Sequence, residues 1–305
     1  MERASTASGR RRDTVIDAAT LAAIDDLELA GRMLATGYLF GRHLGQRHGP
    51  GYEFAQYRAW QPGDASRTVD WRLYARSQRL NVRESELETD QRLWLLLDTS
   101  ASMSFASPGG AINKFFYAKA LAAALGYLAQ QQGDELGLVT LGEQATVRIP
   151  ASSGRSQWYR VLAAMRDLPC EGSLGDGDIE LPANFSDMSA GSLVIVLSDF
   201  YQTNQELQQL LIRLKTAQCD VRALCLETHA EQTLKYKGVV QLIDPETGEQ
   251  RLTDPAQSAG EFVAAREAYL QTVRNDLAIH DIAFERFSVD EPLDHRLRQY
   301  LTGSL

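Results

Sequence analysis

Leu93-Trp94-Leu95-Leu96-Leu97-Asp98-Thr99-Ser100-Ala101-Ser102-Met103 is the stretch from which the rest of the chain can be read. The unbroken apolar run Leu93 to Leu97 reads as a β-strand buried on both faces, the kind found in parallel sheets. At its carboxyl end Asp98, Ser100 and Ser102 alternate over a tight turn, so one loop offers a carboxylate and two hydroxyls. Oxygen donors of that kind suit a hard divalent cation such as Mg²⁺. The loop also lies where open α/β sheets place ligand sites, beyond the carboxyl ends of their strands. The plainer alternative is a capped turn, in which Ser100 or Ser102 satisfies the amides of the next helix.

Downstream, strand and helix alternate. An alanine-rich amphipathic helix is expected over Ala111 to Gln132, and a strand over Glu135 to Leu141. Gly142-Glu143-Gln144 turns that strand back into a short antiparallel edge, Ala145 to Ile149, and a helix follows over Ser156 to Leu168. Leu193 to Leu197 repeats the buried-strand pattern and ends in Ser198-Asp199-Phe200. Helix Glu206 to Ala217, strand Val221 to Leu226, helix Ala259 to Ile279, strand Ile282 to Phe287 and helix Leu293 to Leu301 complete the alternation. Between Val239 and Leu252 the turn signal Asp244-Pro245-Glu246-Thr247-Gly248 predicts a hairpin. A mostly parallel sheet with helices on both faces is the architecture this order predicts.

Upstream, Met1 to Arg12 reads as a disordered tail without the apolar core of a secretory signal. Apolar residues at helical spacing from Asp13 to about Leu44 predict one or two helices. Residues 51–92 are unusual in composition: arginines 58, 67, 72, 76, 79 and 83 stand among Asp64, Asp70, Trp60 and Trp71. The guanidinium fork pairs with carboxylates as well as with phosphates, and an internal network around Asp64 and Asp70 is the expectation. The chain thus divides into 1–50, tail and helices; 51–92, an arginine-rich segment packed on the core; and 93–305, the α/β domain.

The 305 residues carry a formal charge of 31 − 40 = −9, with 44% hydrophobic and 23% charged residues. That balance is globular, and its acidity argues against a nucleic-acid partner. No apolar run reaches the length of a membrane span. Cys170, Cys219 and Cys225 lack any metal-ligand spacing and fit thiols in a reducing cytoplasm.

Two blocks of the sequence together resemble a known family. Gly51-x-Glu53-Phe54, Tyr57-Arg58, Pro62-Gly63-Asp64, Arg67-x-x-Asp70-Trp71 and Ala75-Arg76 precede Asp98-x-Ser100-x-Ser102-Met103. Their order and spacing resemble the bacterial domain family of unknown function numbered fifty-eight, whose members carry a von Willebrand factor A-type domain. The resemblance implies a doubly wound sheet of six strands with a metal-ion-dependent adhesion site at its carboxyl edge. Asp98, Ser100 and Ser102 then form the first ligand loop for Mg²⁺ or Mn²⁺. Ser173 stands in for the usual threonine of the second loop, and Asp199 supplies the third. It also implies a protein-interaction or adaptor role in which the ion docks a partner carboxylate, the partner being a MoxR-type AAA+ ATPase or its client.

Enzymatic readings fare worse. Position 100 is serine where a haloacid-dehalogenase-type phosphatase needs its second aspartate, the general acid. Neither Ser100 nor Ser102 lies in Gly-x-Ser-x-Gly, and the chain has no Gly-x-x-x-x-Gly-Lys-Ser/Thr loop. The expectation is a non-catalytic module. The alternatives are a metal-dependent phosphoester hydrolase, or a scaffold whose ion is structural or absent.

Overall fold

In a computed structural model of the chain, the described residues are 20–21, 23–24, 26–43, 56–59, 73–74, 76, 78–79, 81–84, 91–142, 147–174, 188, 190–202 and 205–303. The chain divides into two units, one of residues 41–90 and one of residues 1–40 with 91–305. In the smaller unit β1 (Gln56–Ala59) pairs antiparallel with β2 (Asn81–Glu84). Asp64, Asp70 and the tryptophans beside them lie outside the described residues, as do the N-terminal tail and the predicted network.

The larger unit holds α1 (Leu27–His43) as far as Phe40 and continues into β3 (Arg92–Asp98), a single 3-10 turn (Ala101–Ser104), α2 (Lys114–Gln132), β4 (Glu135–Leu141), β5 (Arg148–Ser152) and α3 (Arg155–Arg166). Then come β6 (Leu193–Ser198), α4 (Glu206–Thr216), β7 (Asp220–Glu227), α5 (His229–Thr233), β8 (Val240–Ile243), β9 (Gln250–Thr253), α6 (Pro255–Ile279), β10 (Ala283–Ser288) and α7 (Leu293–Gly303). Six strands form one sheet in the order β10-β7-β6-β3-β4-β5, all parallel except β5, which runs antiparallel to β4. Among the described residues no helix is long and apolar enough to cross a membrane.

Side-chain alternation along the central strands separates the core into two layers. Leu93, Leu95 and Leu97 pack with α1, α2, α3 and α7, while Trp94 and Leu96 face the layer of α4 and α6. A strand covered on both faces must be apolar at every position, which is why Leu93 to Leu97 carries no polar residue. Close approaches demand glycine twice. A Cβ on Gly137 would stand 2.5 Å from the ring of buried Trp94, and one on Gly31 would stand 2.9 Å from Ala123 where α1 crosses α2.

Chain order sets where the sheet reverses direction. From β3 the chain crosses through α2 to β4 on one side, then returns through α3 to β6 on the other. The carboxyl ends of β3 and β6 are therefore neighbours at a topological switch point, the place where doubly wound folds leave a crevice. Elements match their predicted positions within a few residues, with two exceptions. Helix α6 starts earlier than its apolar period, because Asp254 caps it and Pro255 occupies its first turn. The short α5 carries a capping box, Thr228 with Glu231, that the periodic reading passed over.

Candidate functional site

Parallel pairing of β3 with β6 aligns Leu97 with Leu197, so the next residues on each strand, Asp98 and Ser198, meet at the sheet edge. Asp98 is fully buried; one carboxylate oxygen accepts from the Ser100 amide at 2.9 Å and the other from the Ser198 hydroxyl at 2.5 Å. The hydroxyls of Ser100 and Ser102 lie 3.0 Å apart. The 170s loop adds to this edge through its backbone. Glu171 donates its amide to the Thr99 carbonyl at 3.0 Å, and the Ala101 amide donates to the Gly172 carbonyl at 2.9 Å. Ser173 follows directly and is half-buried. Thus the loops bearing Asp98, Ser100, Ser102, Ser173 and Asp199 gather at one edge of the sheet.

A positive charge is supplied at that edge by the protein itself. The Lys114 ammonium, on the first turn of α2, donates to Asp199 at 2.6 Å and to Glu231 at 2.8 Å. The lysine and Asp199 are each 1% exposed. It also lies over the Phe105 and Tyr201 rings, 5.8 and 5.5 Å from their centroids. Burial acts to lower the Lys114 pKa, but the charges of Asp199 and Glu231 outweigh it and hold the ammonium protonated. For Asp98, burial dominates and the Asp199 charge adds to it, so its pKa is pushed up to about 7 against the opposing bonds from Ser198 and Ser100. Cys170, whose thiol donates to the Ser100 carbonyl, is pushed up to about 12 by burial and then by Asp98 and Asp199.

This arrangement corrects the ion expected from the sequence. Among the described residues no group of three or more His, Cys, Asp or Glu side chains is placed to hold a metal. The carboxylates that would have faced Mg²⁺ or Mn²⁺ are otherwise engaged: Asp199 with Lys114, Asp98 with Ser198 and Ser100. A metal-ion-dependent adhesion site that docks a partner carboxylate through the ion is therefore not what these residues build. The metal-dependent hydrolase alternative loses its ion for the same reason. The findings favour the remaining alternative, a scaffold whose ion is structural or absent, over the docking ion.

Sequence reading missed Lys114, Ser198 and Glu231. A basic residue in the first turn of a helix opposes the helix dipole, and that mismatch at Lys114 was the one available hint. The Thr228-to-Glu231 spacing likewise signals a capping box; Glu231 accepts from the Thr228 amide and hydroxyl while its other oxygen holds Lys114. Phe200, buried and in the left-handed region at φ 59°, carries the chain from Asp199 out of the sheet. The Tyr269 hydroxyl donates to its carbonyl at 2.7 Å and holds that strained turn.

Beside the lysine lies a cavity of about 630 Å³. Ser102, Lys114 and Arg266 line it, together with Leu242 and Glu246 from the hairpin of β8 and β9. Arg266 is itself engaged, donating to Tyr201 at 2.6 Å and to Glu227, which also accepts from Arg286. The hairpin forms a separate two-stranded sheet, paired with itself.

A six-stranded doubly wound sheet with polar loops converging at its carboxyl edge defines a von Willebrand factor A-like domain. The chain belongs to the family described as "Protein of unknown function DUF58", which matches residues 56–277. Uncharacterized proteins from Mycobacterium bovis and Mycobacterium tuberculosis are each 32% identical to it over 250 residues, spanning 80% of this chain and 77% of theirs. Among solved structures it is similar to BatB from Bacteroides thetaiotaomicron, at 12% identity and a TM-score of 0.38, over 69% of this chain and 97% of that one. An aerotolerance-related membrane protein from Bacteroides fragilis is 11% identical with a TM-score of 0.40, over 69% of this chain and 96% of that one. Fold and family are consistent with a non-catalytic, protein-interaction module.

Proposed function

We propose that the protein is an adaptor whose docking face is the carboxyl edge of the sheet, roofed by the hairpin Val240–Thr253, and that it acts in the cytoplasm beside a MoxR-type AAA+ ATPase. One observation carries the reading: a single internal cation, Lys114, ties Asp199 to Glu231 at this edge, while an open cavity remains beside them. Such a network rigidifies loops that a partner can read, and it leaves no activated nucleophile. The three free thiols, Cys170, Cys219 and Cys225, suit a reducing compartment. The ATPase enters from the family resemblance, and the cavity supplies the place to look for its contact.

The test is direct binding between the purified chain and a purified MoxR-type ATPase of the same cell, by interferometry. A variant in which residues 240–253 are replaced by a short Gly-Ser turn provides the comparison; among the described residues β8 and β9 pair only with each other, so the six-stranded sheet should be retained. The docking reading expects association with the parent chain and its loss in the variant. Equal binding of both forms, or binding of neither, overturns it.

A further inference from the structure

The cavity beneath the hairpin has a chemistry of its own, which narrows the docking face to a kind of side chain; the inference rests on the adaptor reading. Five aromatic residues, Phe105, Tyr201, Tyr236, Phe262 and Tyr269, line it. Its two cations are already paired, Lys114 with Asp199 and Glu231, Arg266 with Glu227. Asp244, at the hairpin turn, spends its carboxylate locally, accepting from the Glu246 amide and the Thr247 hydroxyl at 2.9 Å each. Glu246 is different. Its carboxylate faces Ser102 and forms no ion pair with any described residue. Burial, then the Asp199 charge, raises its pKa against the pull of the Ser102 hydroxyl and amide; a cation beside it would oppose that rise. Gln202, which also lines the cavity, offers its contents no free donor: its carboxamide nitrogen is buried, and its oxygen accepts from the Leu207 amide.

Aromatic faces attract cations, and a carboxylate without an ion-pair partner does the same. An acidic side chain entering here would instead meet Glu246 and Glu231 with both neighbouring cations engaged. We propose that this cavity takes the arginine or lysine side chain of a partner polypeptide, the cation lying among the aromatic rings beside Glu246.

The experiment is fluorescence anisotropy on the full chain with fluorescein-labelled Gly-Ser peptides carrying one central arginine, or one central glutamate. Saturable binding of the arginine peptide at millimolar concentration or below, with none of the glutamate peptide, is expected. Glu246→Gln should weaken the arginine peptide about five-fold. Phe262→Ala should weaken it about three-fold while leaving the charge unchanged, which separates a cation held by rings from general attraction to an acidic protein. Phe262 is 37% exposed and Glu246 sits on the hairpin turn, so both variants should keep the parent's circular dichroism. No saturation by the arginine peptide, equal binding of the glutamate peptide, or unchanged affinity in both variants overturns the inference. If the ATPase still binds the parent chain and needs the hairpin, the docking reading survives that failure.

Discussion

Replacing Lys114 by methionine isolates what the internal cation contributes. Methionine keeps a flexible apolar stem of similar length against Phe105 and Tyr201, so the change is chiefly electrostatic. Asp199, 1% exposed, loses a partner at 2.6 Å; Glu231, 13% exposed, loses one at 2.8 Å but keeps its bonds from Thr228. Removing one member of a buried pair typically costs about 3–5 kcal/mol, because the other charge stays behind uncompensated. Most of that cost falls on Asp199, since Glu231 is nearer solvent. A loss of about 3–5 kcal/mol multiplies the unfolded fraction by roughly 10² to 10³ or more. Urea titration at pH 7, followed by far-ultraviolet circular dichroism, should show a lower midpoint with an unchanged slope. The triple variant Lys114→Met, Asp199→Asn, Glu231→Gln should recover at least about half of the loss, because it removes the stranded charges as well. A Lys114→Met chain that unfolds with the parent's midpoint and slope would refute the ion-pair reasoning. So would a triple variant no more stable than the single one.

Asp98 folds with a pKa of about 7, above its ordinary 3.8, so the folded state holds a proton that the unfolded chain releases. Its contribution to stability is therefore lost as pH rises from about 4 to about 7, and Asp98→Asn, which cannot ionise, should gain on the parent between pH 5 and pH 8; a difference in urea midpoint that does not vary with pH counts against this assignment. Millimolar MgCl₂ should leave the melting temperature where NaCl of equal ionic strength leaves it, and a specific rise abolished by Asp98→Asn would put an ion back at the strand ends. Gly137→Ala would place a methyl 2.5 Å from the Trp94 ring, which is fully buried and cannot move aside, and should cost about 1–3 kcal/mol by chemical denaturation.

The sheet was legible because buried parallel strands leave a local mark. Leu93 to Leu97, Glu135 to Leu141 and Leu193 to Leu197 are largely apolar, since nearly every side chain in them meets a helix layer. The antiparallel edge was equally readable from the turn that follows Leu141, and the hairpin from Asp244 to Gly248. The site was legible only in part. Asp98 and Asp199 stand at the ends of apolar runs, which marks them as edge residues whatever they bind. The nature of the cation was not readable, because Lys114 looks like an ordinary helix lysine until its surroundings are known.

By itself the sequence determined the strands, the helices, their alternation and the loops that end at the carboxyl edge, since hydrophobic period and turn chemistry act between near neighbours. Tertiary structure alone decided what those loops hold. Lys114 is separated from Asp199 by 85 positions and from Glu231 by 117, and these distances along the chain carry no periodic signal. They close only when β3 and β6 pair in parallel, α2 begins beneath their ends, and α5 presents its capping glutamate from beyond β7. Burial then turns proximity into chemistry: in a low-dielectric interior two carboxylates require a cation, and the fold puts a lysine ammonium there.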